Sequence, residues 1–102
     1  MALQFKIGVE LRVTEAVNKI LLKVEPCFTW FAVPCVVTSG TDGQHGKYSK
    51  HYVGQALDFR TRDIKLELRP TLVKMVKEAL GQDFDVVLES DHLHVEYDPK
   101  DK

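Results

Sequence analysis

From His92 to Tyr97 polar and apolar side chains alternate without a break, and this alternation restricts the possible folds more than any other feature of the chain. In an extended strand residues two apart share a face, so His92, His94 and Glu96 point one way while Leu93, Val95 and Tyr97 point the other. The run from Ala56 to Thr61 carries the same period, with Ala56, Asp58 and Arg60 on one side and Leu57 and Phe59 opposite. The apolar sides need a shared core. The polar sides, on two strands of one sheet, would aim imidazole and carboxylate at a common point, with Asp58 facing a cleft or solvent.

The remaining segments supply the cover such a sheet needs. Thr14 is placed to cap a helix in which Val17, Ile20, Leu21 and Val24 follow helical spacing and Lys19 and Lys23 turn outward. Pro26 is expected to end or bend it. Cys35 to Thr38 is β-prone, and the glycine-rich stretch from Ser39 to Gly46 predicts a loop. Pro70 suits the first turn of a second helix that presents Leu72, Met75, Val76 and Leu80, with Gly81 supplying its stop. Phe84 to Leu88 predicts a strand joined to Leu93–Tyr97 by a tight connection at Glu89 to His92. The expectation is an α+β domain: a small, mainly antiparallel sheet with two or three helices.

Composition narrows the functional classes. A chain of 102 residues, 44% apolar, suits a single domain spanning residues 1–102. Its formal net charge of -1 gives no global sign of nucleic-acid binding or of a membrane surface. The charge is nonetheless segregated. Lys47, Lys50, Arg60 and Arg62 surround Asp58, whereas the last twenty residues are acidic. Neither a secretory leader nor a membrane-spanning run is evident, so the expected location on synthesis is the cytosol. There, Cys27 and Cys35 are expected to be buried thiols rather than a disulfide. Phe28, Trp30 and Phe31 are read as core or as the edge of a groove, and His45 as a solvated loop residue.

Two short segments hold the chemistry. The first contains Ser49, His51, Gly54, Ala56 and Asp58, with the imidazole seven residues before the carboxylate; the second is Asp91-His92-Leu93-His94. Together they resemble the zinc-binding signature of the D-alanyl-D-alanine carboxypeptidases and L-alanyl-D-glutamate endopeptidases, a metallopeptidase family that shares its fold with the hedgehog signalling domain. The resemblance implies that His51, Asp58 and His94 are zinc ligands. Zinc takes such donors in a tetrahedral shell, and a catalytic site reserves one position for water. Gly54 and Ala56 would leave room between the ligands.

By the same resemblance Asp91 stands where relatives carry the general base, there a glutamate, and His92 where others place a histidine that stabilises the tetrahedral intermediate. The two roles are exchangeable on sequence grounds. Ser49 is expected beside the substrate. Relatives also carry an arginine after an upstream Ser-Gly pair to bind a substrate carboxylate or carbonyl; here Ser39-Gly40 is followed by Thr41-Asp42-Gly43. Arg60, Arg62, Lys47 and Lys50 are the replacements available on charge, Arg60 foremost.

The resemblance covers residues 36–97 and implies a zinc peptidase of bacterial peptidoglycan stem peptides, cutting at L-Ala-D-Glu or D-Ala-D-Ala. Without an export signal it looks like a phage or prophage lysis enzyme that reaches the cell wall by a separate route. A non-catalytic module that keeps zinc for stability or binding, as the hedgehog domain does, is the alternative. A small assembly protein without metal is a third. Manganese, nickel and cobalt also accept this ligand set.

Overall fold

The computed structural model describes residues 3–41 and 55–99. The elements are β1 (Leu3–Phe5), α1 (Glu15–Trp30), β2 (Cys35–Ser39), β3 (Ala56–Arg60), a single 3₁₀ turn (Leu66–Leu68), α2 (Arg69–Leu80), β4 (Phe84–Leu88) and β5 (His92–Tyr97). The strands form one mixed sheet in the order β1-β2-β3-β5-β4. Only β1 and β2 run parallel; the other three pairings are antiparallel. The fold class is therefore α+β, with a five-stranded mixed sheet and two α-helices.

Period-two alternation decides which face of this sheet is covered. Val37, Leu57, Phe59, Leu93 and Val95, all at most 1% exposed, join Val17, Ile20, Val24 and Phe28 of α1 and Leu72, Val76 and Leu80 of α2 in one core cluster. Phe28 and Phe59 meet across that layer with ring centroids 6.0 Å apart. Burying side chains of this size is the main favourable term in folding. Both cysteines are free and buried within it, and burial pushes the Cys35 thiol up to about 12, so neither is a reactive thiolate.

The helices begin largely as their sequences predict. Thr14 Oγ1 accepts a hydrogen bond from the Val17 amide at 3.0 Å, which satisfies one of the first-turn donors. Pro70 lies in the first turn of α2, and Gly81, at φ +87°, donates its amide to the Lys77 carbonyl to close it. Pro26 does not end the helix: α1 runs past it to Trp30. A helix-interior proline forfeits one backbone hydrogen bond. Here Val24, Cys27 and Phe28 on either side are buried in the core, and their packing holds the helix together. Trp30, read from sequence as core or the edge of a groove, is 70% exposed and lines a shallow groove with Leu22, Pro26 and Met75.

Two further differences concern the chain before and after β2. The three-residue strand β1 lies along β2, with Leu3, Gln4 and Phe5 opposite Cys35, Val36 and Val37. Gly40 then passes so close to residue 10 that a methyl group there would overlap the Glu10 carbonyl oxygen. That oxygen accepts from the amide and hydroxyl of Thr41, at 2.7 and 3.2 Å. Glycine is required at this close approach.

Candidate metal centre

Strands β3 and β5 lie side by side in the interior of the sheet, and their register sets the site. Asp58 is opposite His94, Arg60 opposite His92, and Ala56 opposite Glu96. Residues directly opposite in an antiparallel pair project from the same face with Cβ atoms about 5 Å apart. The helices cover the other face, where the apolar neighbours Leu57, Phe59, Leu93 and Val95 are held in the core, and this polar set lies on the face turned away from them.

His94 is the hub. Its Nδ1 is 2.9 Å from Asp58 Oδ1, a residue 36 positions away in sequence, and its Nε2 is 2.8 Å from Glu96 Oε1. The His94 side chain is 20% exposed and that of Asp58 13%, so both groups are partly withdrawn from water. The hydrogen bond to Asp58 raises the His94 pKa to about 9, assisted by Glu96 and opposed by partial desolvation. In the absence of metal the ring is an imidazolium held between two carboxylates at neutral pH.

A second pair adjoins the first. His92 Nδ1 is 2.7 Å from Asp91 Oδ1, and His92 Nε2 is 3.8 Å from Asp58 Oδ1. The hydrogen bond to His92, then the charge on that ring, holds the Asp91 carboxyl below the usual carboxylate range. Asp91 is 84% exposed and so is reachable from solvent. The polar line thus runs Asp91, His92, Asp58, His94, Glu96.

Two of these residues, Asp58 and His94, carry donor types that zinc accepts. Two donors of a tetrahedral shell with bonds of about 2.0 Å stand about 3.3 Å apart. Asp58 Oδ1 and His94 Nδ1, at 2.9 Å, converge to nearly that separation, and a cation between them would replace the proton they share. The third expected ligand, His51, lies outside the described residues, as do Ser49, His45, Lys47 and Lys50. Within the described residues the three potential donors whose ligand atoms all lie within 4.8 Å of one another are Asp85, Glu96 and Asp98. That all-oxygen group suits a hard cation rather than zinc, and such acidic clusters are common without any ion.

Arg60 is committed to a neighbour. Its Nε and Nη2 both donate to Asp63 Oδ2, at 3.0 and 2.7 Å. The salt bridge was not evident from sequence because it depends on the turn that follows β3. Beside it Arg62 is exposed and forms no ion pair among the described residues. Both arginines line a groove of about 620 Å³ together with Lys6, Asp58, Asp91 and His92. Phe5, Ile7 and Val36 give the same groove an apolar wall. The groove therefore offers a cationic rim beside the Asp58 and His92 side chains. Among the described residues no helix is long and apolar enough to cross a membrane.

No protein-family model matches the chain, and no curated protein matches it.

Proposed function

We propose that the chain is a zinc-dependent peptidase that hydrolyses peptide bonds in bacterial peptidoglycan stem peptides, of the L-Ala-D-Glu endopeptidase or D-Ala-D-Ala carboxypeptidase type. In this reading it adopts the fold those enzymes share with the hedgehog domain and serves as a phage lysis enzyme. The observation that carries the reading is the 2.9 Å approach of Asp58 to His94 across adjacent strands, with the Asp91-His92 pair beside it. Sequence distance alone would not bring these four residues into one line.

In this reading Asp58 and His94, with His51, hold the metal. Bound zinc would lower the pKa of a water molecule and polarise the scissile carbonyl. Asp91 is anionic and exposed, so it can accept the proton of the attacking water and pass it to the leaving amine. His92, whose Nδ1–H is given to Asp91, can donate from Nε2 to the carbonyl oxygen as that atom gains negative charge when the ring is doubly protonated. The reverse assignment, His92 as base, uses the same contacts. Ser49 would lie beside the substrate. Arg60 would contribute to the rim with the part of its guanidinium not bound to Asp63, leaving Arg62 as the better candidate for a substrate carboxylate.

Digestion of purified peptidoglycan with and without a chelator, followed by mass analysis of the fragments, tests metal, reaction and bond together. Release of stem-peptide fragments that stops on chelation is the expected result. No release in either condition, from protein shown to contain metal, would leave a non-catalytic zinc module of the same fold. That second reading has its own support, because His94 already ties β3 to β5 through Asp58 without any chemistry.

A further inference from the structure

We propose that Glu96 is a positioning residue that fixes His94 in the form offering Nδ1 to the metal; the assignment rests on the zinc reading above. A neutral imidazole carries one N–H and one lone pair, and only the nitrogen with the lone pair can bind a cation. Which nitrogen that is depends on where the remaining hydrogen is held.

Both His94 nitrogens face a carboxylate at hydrogen-bonding distance, and what separates them is where those carboxylates stand. Nδ1 points to Asp58, beside His92 and the groove, where a metal would meet substrate. Nε2 points to Glu96 Oε1 at 2.8 Å. If Asp58 shares a cation with Nδ1, the one hydrogen left on the ring is at Nε2, where Glu96 Oε1 is in place to accept it. Asp85 is opposite Glu96 on β4, and Asp98 is two residues beyond it. Their carboxylates have oxygens within 4.8 Å of the Glu96 carboxylate. On the other flank Ala56 faces Glu96 and places only a methyl group there. Metal-bound histidines generally donate their second N–H to a carboxylate or carbonyl, and loss of that partner weakens metal binding by about 10- to 100-fold.

The test is zinc affinity, measured by competition with a chromophoric chelator on the full chain, for the wild type, Glu96→Ala and Glu96→Gln. Glu96→Ala should bind about 10- to 100-fold more weakly. Glu96→Gln keeps an oxygen in place to accept the Nε2 hydrogen and should recover most of the loss. Long-range ¹H–¹⁵N spectra of the zinc-loaded wild type need no variant: they should show hydrogen on His94 Nε2 and metal on Nδ1. Undiminished affinity in a folded Glu96→Ala protein, or metal on Nε2, overturns the assignment of Glu96 while leaving the zinc site standing. A wild type that takes up no zinc overturns the zinc reading, and the role of Glu96 with it.

Discussion

His94 links the site to pH in two opposed ways. Its pKa in the folded chain, about 9, stands above the ordinary histidine value of 6.5. In metal-free protein the charged ring therefore stabilises the fold fully below pH 6.5, and that contribution is lost as pH rises through about 9. Thermal unfolding in the presence of a chelator should show the decline over this window, and Asp58→Asn should flatten it. Zinc must displace the proton from Nδ1, so apparent zinc affinity should climb by about tenfold per pH unit up to pH 9 and then level off, provided His94 is the last ligand to lose its proton. A zinc affinity independent of pH between 7 and 9 would remove His94 from the ligand set. For the chemistry, Asp91→Asn should lower kcat by about 10²- to 10⁴-fold with zinc retained, and His92→Ala by about 10²- to 10³-fold. Single-turnover rates on a stem peptide separate the two roles, since only loss of the base moves the acidic limb of the pH profile. Asp58 and His94 could be read from sequence because a two-residue period fixes the face on which a strand residue lies. The same period puts Glu96 on the face of His94 but leaves open whether it meets a histidine or solvent; that choice, and the contact of Arg60 with Asp63, depends on where long side chains finally rest.

The helices differ in how much of their stability is local. Thr14→Ala removes the acceptor for the Val17 amide and should destabilise the protein by about 1 kcal/mol in denaturant unfolding. Pro26→Ala should act in the opposite direction, because it restores an amide that can bond to the Leu22 carbonyl within an intact helix; a gain of about 1 kcal/mol is expected from the hydrogen bond. No gain would mean that the helix bends at Pro26 in a way the core requires. Local signals marked the start of α1, the bounds of α2 and four of the strands, where caps, a first-turn proline, glycine or strict alternation were present. At Pro26 they offered an end or a bend, and the helix does not end there, since Val24, Cys27 and Phe28 pack its turns into the core. They failed at β1, where Leu3, Gln4 and Phe5 do alternate but the run is only three residues long, all three are exposed and the partner is more than thirty residues away.

At the scale of the whole molecule a metal would add to fold stability by mass action. Free zinc at a hundred times its dissociation constant should raise the unfolding free energy by about 2.7 kcal/mol, seen as a higher melting temperature that a chelator reverses. His51→Ala should abolish most of that rise while leaving the metal-free melting temperature little changed. An unaltered zinc response in His51→Ala would require a different third ligand. The order β1-β2-β3-β5-β4 bears on this as well. Backbone amides on interior strands are commonly the last to exchange with deuterated water, because they are released only when the domain opens as a unit. Asp58 and His94 sit on β3 and β5, two of the three strands flanked on both sides, so fraying at either rim would leave their spacing intact, and a heat-stressed sample should lose any bound metal cooperatively with its tertiary structure.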